Sequence, residues 1–194
     1  YRRVAVPILA NVAGLSDDLV RKNTTASNRG SKAIFSDWSL NTEWWDDGDV
    51  FAPLVPQDIL AVSRQFFDEI NGFDEDLLPS SHDDHADTLD FSLKVWLCGG
   101  EIGLARESTF SVVEHANSTT NVDALVQNRV RIVERWLDNE YKNKFYTSEP
   151  ALLEFASGVS KNLNFTIKKA LDCKPFQHFV GTFEHLFHAK DLLP

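Results

Sequence analysis

The chain has 194 residues, enough for one domain with a sizeable core, and its 43% hydrophobic and 25% charged residues are those of an ordinary globular sequence. A net charge of −10 argues against nucleic acid or an anionic membrane surface as a partner, because both are held by clustered Lys and Arg. No run of about 18 apolar residues occurs, so no membrane span within the chain is expected.

Tyr1-Arg2-Arg3 leads directly into Val4-Ala5-Val6-Pro7-Ile8-Leu9, a short apolar run of the kind found in buried parallel strands. No secretory signal opens the chain, and so abrupt a start reads as a processed or partial product. Residues 14–34 are polar and predict an exposed loop. Residues 37–45, with three Trp and period-two character, predict a strand. Residues 46–49 predict a turn, and 59–62 a second buried strand. Ser63 is the expected N-cap of a helix over 64–70 that Asn71-Gly72 terminates. Residues 73–77 form an acidic connector, and 79–85 a loop. A helix over 88–97 carries Leu89, Leu93 and Trp96 on one face. Short strands are expected at 101–105 and 109–113, with a polar loop at 117–121. The longest predicted helix covers 126–142, apolar at Val126, Val130, Val133 and Leu137. The tail carries short helical segments around 152–155 and 176–187. Strands alternating with helices predict an α/β fold.

Candidate chemistry is sparse at this level. Fourteen Phe and five Trp predict a core and clefts rich in rings, which pack efficiently and are also used by sugar-binding sites. Two cysteines alone do not fix the redox compartment. Asn23, Asn117 and Asn164 each begin an N-x-S/T triplet, a pattern that accompanies secretion but also arises by chance. His82-Asp83-Asp84-His85-x-Asp87 offers oxygen and nitrogen donors to a cation, against the simpler reading of a solvated acidic loop.

An ordered set of segments resembles the C-terminal half of the catalytic domain of the polypeptide N-acetylgalactosaminyltransferases. The set comprises the opening strand with Pro7; Asp37-Trp38-x-Leu40-x-x-x-Trp44; Leu60-Ala61-Val62-x-Arg64-x-x-Phe67-x-x-Ile70-x-x-Phe73-Asp74; and Trp96-x-Cys98-Gly99-Gly100. It continues with Glu114-His115; Asn128-Arg129 ahead of Trp136-Leu137-Asp138; Lys144-Phe145-Tyr146; and Cys173-Lys174-Pro175-Phe176. The resemblance covers nearly the whole chain. It implies a GT-A-type mixed sheet flanked by helices, with residues 1–194 as a single domain portion and no lectin domain. It further implies UDP-GalNAc as donor, Mn2+ as cofactor, Ser or Thr of a polypeptide as acceptor, and residence in the secretory pathway (Golgi lumen) or outside the cell. In that family the first cysteine pairs with the last, so a Cys98–Cys173 disulfide is expected. Closing a loop of about 75 residues would stabilise the fold by roughly 4 kcal/mol in the chain-entropy view and would imply an oxidising compartment.

The resemblance carries three roles onto matching positions. His115 corresponds to a metal-ligating His, Asp87 to a sugar-binding Glu, and Trp38 and Trp44 to rings lining the donor or acceptor cleft. It also exposes departures. The family's Asp-x-His metal pair has no counterpart within the 194 residues, so a separate chain or segment carrying the N-terminal half would have to supply it. Glu114 replaces a glycine beside His115. Asp84-His85-Ala86-Asp87-Thr88 stands where the family has Trp-Gly-Gly-Glu-Asn, and Pro56-Gln57-Asp58 where it has Ala-Gly-Gly. Loss of those glycines keeps the backbone farther from a sugar. The loop over 116–120 is short and uncharged, and would cover a nucleotide poorly. Two readings follow: a glycosyltransferase, or a catalytically inactive relative retained as a scaffold or as a glycan- or peptide-binding module.

Overall fold

In a computed structural model of the chain the described residues are 2–11, 32–45, 48–55, 59–79, 85–112, 121–163 and 165–193. Two small sheets and a set of helices share one hydrophobic core. Strand β1 (Arg3–Asn11) lies between β4 (Ala61–Val62), which runs antiparallel to it, and β5 (Glu101–Val112), which runs parallel. Strands β2 (Lys32–Phe35) and β3 (Thr42–Trp45) form a separate antiparallel hairpin. A parallel β1–β5 pair requires a long crossover, and among the described residues the hairpin, β4 and two helices lie within it. The result is the expected α/β arrangement.

Several boundaries differ from expectation for identifiable reasons. Only Thr42–Trp45 of the predicted 37–45 strand is extended. The preceding residues turn back because the Asp37 carboxylate accepts the amides of Ser39 (2.9 Å) and Asn41 (3.1 Å), and Leu40 is left-handed at φ 60°. An Asp that captures backbone amides ahead of it competes with a strand ladder. The two strands expected at 101–105 and 109–113 are one, β5. Its register against β1 shifts between Pro7, paired with Ala105, and Ile8, paired with Thr109, so residues 106–108 bulge outward. Proline has no N–H to give to the ladder at that point.

Helix α1 (Arg64–Glu69) is capped by Ser63 Oγ, which accepts from Phe66 N at 3.2 Å, and it ends on left-handed Asn71 and Gly72. Helix α2 (Ala86–Leu97) begins two residues before the predicted start, and every residue from Thr88 to Leu97 is buried. One apolar face was expected. Instead the helix touches β5 on one side and two helices, α3 (Val122–Trp136) and α7 (Phe176–Thr182), on others, so its polar residues are enclosed and each finds a partner. Ser92 Oγ accepts the Val55 amide at 2.9 Å and Lys94 Nζ donates to Gly72 O at 2.6 Å. Such pairing is what makes burial of polar groups tolerable.

The predicted 126–142 helix is two: α3 and α4 (Asn139–Ser148). The chain extends at Leu137 and Asp138, and the Asp138 carboxylate accepts the Gln177 amide at 3.0 Å, holding the break against α7. The tail then folds as a short 3-10 turn, α5 (Leu153–Lys161), α6 (Thr166–Ala170), α7 and α8 (Glu184–Ala189).

Cys98 and Cys173 are bonded, with Cα atoms 4.2 Å apart, and the Lys174 amide donates to Leu97 O at 2.8 Å beside them. The covalent link pins the end of α2 to the start of α7. No helix among the described residues is long and apolar enough to cross a membrane.

Candidate sugar-binding site at the start of helix α2

A pocket of about 190 Å³ opens where the β2–β3 hairpin, the 52–55 segment, the start of α2 and the middle of α3 meet. Its apolar wall comes from Ala33, Leu54, Val55, Leu89 and Ile132, and its polar rim from Asn41, Thr42, His85, Thr88 and Arg129. That volume exceeds the roughly 150 Å³ in which benzene binds, so it admits a small ring.

Each wall is held by named bonds. Arg129 donates from Nη1 to Ser39 O (2.7 Å) and from Nη2 to Asn41 Oδ1 (3.0 Å), tying the β2–β3 loop to α3. Its neighbour Asn128 makes a reciprocal pair with the Leu78 backbone, 2.8 Å in each direction. One turn of α3 therefore fixes both the hairpin loop and the segment that leads toward α2. At the start of α2, His85 is left-handed at φ 47°, its carbonyl accepting from Leu89 N (2.9 Å) and Thr88 Oγ1 (3.1 Å). The 52–55 wall is anchored to α2 by the Ser92–Val55 bond and by Trp96 Nε1 donating to Ala52 O at 3.2 Å.

The residues singled out from the sequence are placed unevenly. Asp87 lies between two pocket residues, Ala86 and Thr88. Its side chain is exposed and its Oδ1 accepts the Thr88 amide at 2.8 Å. Trp38 does not line the pocket. Its ring stacks on Tyr141 with centroids 5.4 Å apart and lies 5.9 Å from Phe187, and Lys144 Nζ sits 4.6 Å above it. Trp44 is half-buried on β3, paired with Ala33, and is likewise outside the pocket lining. His115, Glu114, Asn23, Asn117, Asn164, residues 56–58 and all of the 82–87 loop before His85 lie outside the described residues. Asn41, Thr42 and His85 carry no sequence signal for a shared pocket, because the pocket is assembled from four segments far apart in the chain.

No protein-family profile matches the chain. Among curated proteins it is 28% identical over 160 residues to the inactive polypeptide N-acetylgalactosaminyltransferase-like protein 5 of Mus musculus, covering 74% of this chain and 36% of that protein. Polypeptide N-acetylgalactosaminyltransferase 3 of the same species is 26% identical over an alignment of 213 positions, covering 100% of this chain and 32% of the relative. N-acetylgalactosaminyltransferase 6 of Drosophila melanogaster is 31% identical over 134 residues, covering 66% and 19%. The curated proteins it is similar to are polypeptide GalNAc-transferases and inactive proteins like them. A crystal structure of GalNAc-T7 with UDP, GalNAc and Mn2+ superposes with a TM-score of 0.72 at 20% identity, covering 100% of this chain and 37% of that one. The fold is thus the GT-A type found in GalNAc-T7. The chain spans about a third of the length of the curated relatives named first.

Manganese is bound in the GalNAc-T7 structure. In this chain, among the described residues, no three His, Cys, Asp or Glu side chains come together to hold a metal. Three or four such donors are what a protein-held transition-metal site requires. The described residues alone therefore do not fit a manganese centre.

Proposed function

We propose that this chain is the sugar- and acceptor-side portion of a glycosyltransferase related to the polypeptide GalNAc-transferases, serving transfer of GalNAc from UDP-GalNAc to Ser or Thr of a polypeptide. The observation that carries the reading is the pocket at the start of α2. Its lining includes Ala86 and Thr88, which flank the position that the resemblance gives to sugar recognition. Asp87 would accept a sugar hydroxyl through Oδ2, since Oδ1 already takes the Thr88 amide. His115 would be this chain's contribution to binding Mn2+, with further ligands supplied by a segment or chain carrying the N-terminal half. Trp38 or Trp44 would line the donor or acceptor cleft. The Cys98–Cys173 disulfide supports an oxidising compartment, hence the secretory pathway, as the place of work.

A second reading, a non-catalytic relative that binds glycan or peptide, is supported by two observations. Relatives matched over 74% of the chain are themselves described as inactive. The sugar-recognising segment has also lost the Trp and both glycines of the family pattern.

Calorimetric titration of UDP into the longest native form, with and without Mn2+, separates them. The transferase reading expects manganese-dependent binding in the micromolar range, about −8 kcal/mol, abolished in His115→Ala. Absence of UDP binding in both conditions would leave the second reading, and unchanged binding in His115→Ala would remove the ligand role of that residue.

A further inference from the structure

A second pocket, about 260 Å³, lies toward the C-terminal end of α3, beneath the acidic connector that follows α1. Its charged lining divides by origin. Asp74, Glu75 and Asp76 come from the connector, whereas Lys94, Arg135 and Lys168 come from helices α2, α3 and α6. The two walls meet at the ion pair of Arg135 Nη1 with Asp74 Oδ2 (2.6 Å). We propose that this pocket binds a small zwitterion of the α-amino-acid class, carboxylate toward the helices and ammonium toward the connector.

The helix wall has donors to spare. The Arg135 side chain is 9% exposed, yet its Nε is buried with no hydrogen-bond partner among the described residues. A buried cationic N–H without an acceptor is unfavourable, and a bound carboxylate oxygen would satisfy it. Lys168 Nζ donates to Arg135 O at 3.0 Å and Lys94 Nζ to Gly72 O at 2.6 Å, and each ammonium carries three N–H groups. On the connector wall, Asp74 and Asp76 are already bonded to Arg131, which leaves exposed Glu75 as the carboxylate open to an ammonium. A ligand with both charges would meet Glu75 on one wall and Arg135 Nε and the lysines on the other. The volume is well above the roughly 150 Å³ that accommodates benzene, so an amino acid with a modest side chain fits.

The test is saturation-transfer NMR and calorimetry on the full chain with glycine, L-leucine and L-glutamine, each compared with its N-acetyl and its amide form. The expected result is millimolar or tighter binding of at least one free amino acid. Both blocked forms should bind at least tenfold more weakly, and Lys168→Gln should weaken the free form. Lys168 is half-buried at the pocket edge, so its replacement leaves the fold intact where Arg135→Lys risks disturbing the ion pairs. Failure of all three amino acids to bind at millimolar concentration overturns the proposal and leaves ordered water as the partner of Arg135 Nε. Equal binding of the blocked forms overturns it as well. Neither outcome depends on whether UDP binds at the other pocket.

Discussion

Asp90 and Asp74 show how two buried carboxyls of the same network are driven in opposite directions. Burial dominates at Asp90 and pushes its pKa up, although Lys94, Arg135 and the Trp136 Nε1 bond at 2.6 Å favour the charged form. At Asp74 burial also acts against the charge, but the hydrogen bond from Arg131, the charges of Arg135 and Arg131 and the bond from Arg135 outweigh it, and the pKa is lowered. The signs for stability follow. Asp74 binds its proton less readily folded than unfolded, so its contribution is present above the ordinary carboxyl range of about 4 and is lost as pH falls through its depressed folded-state pKa. Asp90 works the other way: its contribution is complete below that range and is lost as pH rises through its elevated folded-state pKa. Asp74→Asn removes the counter-charge of two guanidinium groups whose side chains are each 9% exposed. The expected loss at neutral pH is about 3–5 kcal/mol, read as a drop in urea midpoint, with the gap to the parent narrowing as pH falls toward 3. A constant gap across that range would contradict the role given to Asp74.

Elements in this fold are set by neighbours as much as by local pattern. The period of Leu89, Leu93 and Trp96 places α2 correctly, but the helix is enclosed all round, which its own sequence does not announce because Asp90, Ser92 and Lys94 look like a solvent face. Their partners, Trp136, the Val55 amide and Gly72 O, come from residues 22 to 46 positions away. The break between α3 and α4 is hidden for the same reason: Asp138 reads as a tolerable helix residue until the Gln177 amide is seen to need it. The Gly-Gly after α2 is the reverse case, a sequence signal whose full meaning is tertiary. Gly99 is left-handed at φ 88°, as a helix stop requires, while a Cβ on Gly100 would lie 2.5 Å from Phe66 Cζ of α1. Gly100→Ala is therefore expected to destabilise by about 1–3 kcal/mol through overpacking. Gly158→Ala, in α5 with nothing within 4 Å of the new Cβ, should be neutral or stabilising by a few tenths to about 1 kcal/mol. Thermal melts of the two variants side by side check both, and equal melting temperatures would refute the packing argument.

Across the whole molecule a run of rings joins the hairpin loop to the tail. Trp38 stacks on Tyr141, Tyr141 meets Phe176 at 5.1 Å, Phe176 meets Phe179 at 5.5 Å, Phe179 meets Phe183 at 5.1 Å, and Phe183 meets Trp96 of α2 at 4.9 Å. Aromatic pairs contribute about 0.5–1.5 kcal/mol each beyond their burial, so α4, α7 and α8 are part of the core and not an appendage. The disulfide enters the same region, closing a loop of 75 residues between α2 and α7. The Cys98→Ser/Cys173→Ser double variant is expected to lose roughly 4 kcal/mol, and reductant should shift the parent's melt but not the variant's. A parent melt unmoved by complete reduction would show that the ring packing alone holds the tail.

The sequence by itself determined the α/β class, the Ser63 cap, the helix stops at Asn71-Gly72 and Gly99, and, through its ordered resemblance, the fold family and the Cys98–Cys173 pair. These are either local, where backbone conformation and capping depend on a few adjacent residues, or carried by spacing along the whole chain. The tertiary structure decided the rest: that the 37–40 stretch turns instead of pairing, that β5 is one bulged strand, that α2 is enclosed on every side, and that Arg129 and Asn128 brace two walls of one pocket. It also placed Trp38 in a ring stack with Tyr141 and gathered three acids and three cations around a second pocket. Each of these depends on contacts between residues distant in sequence. Burial and hydrogen-bond satisfaction there are properties of the assembled neighbours, which no local window of residues contains.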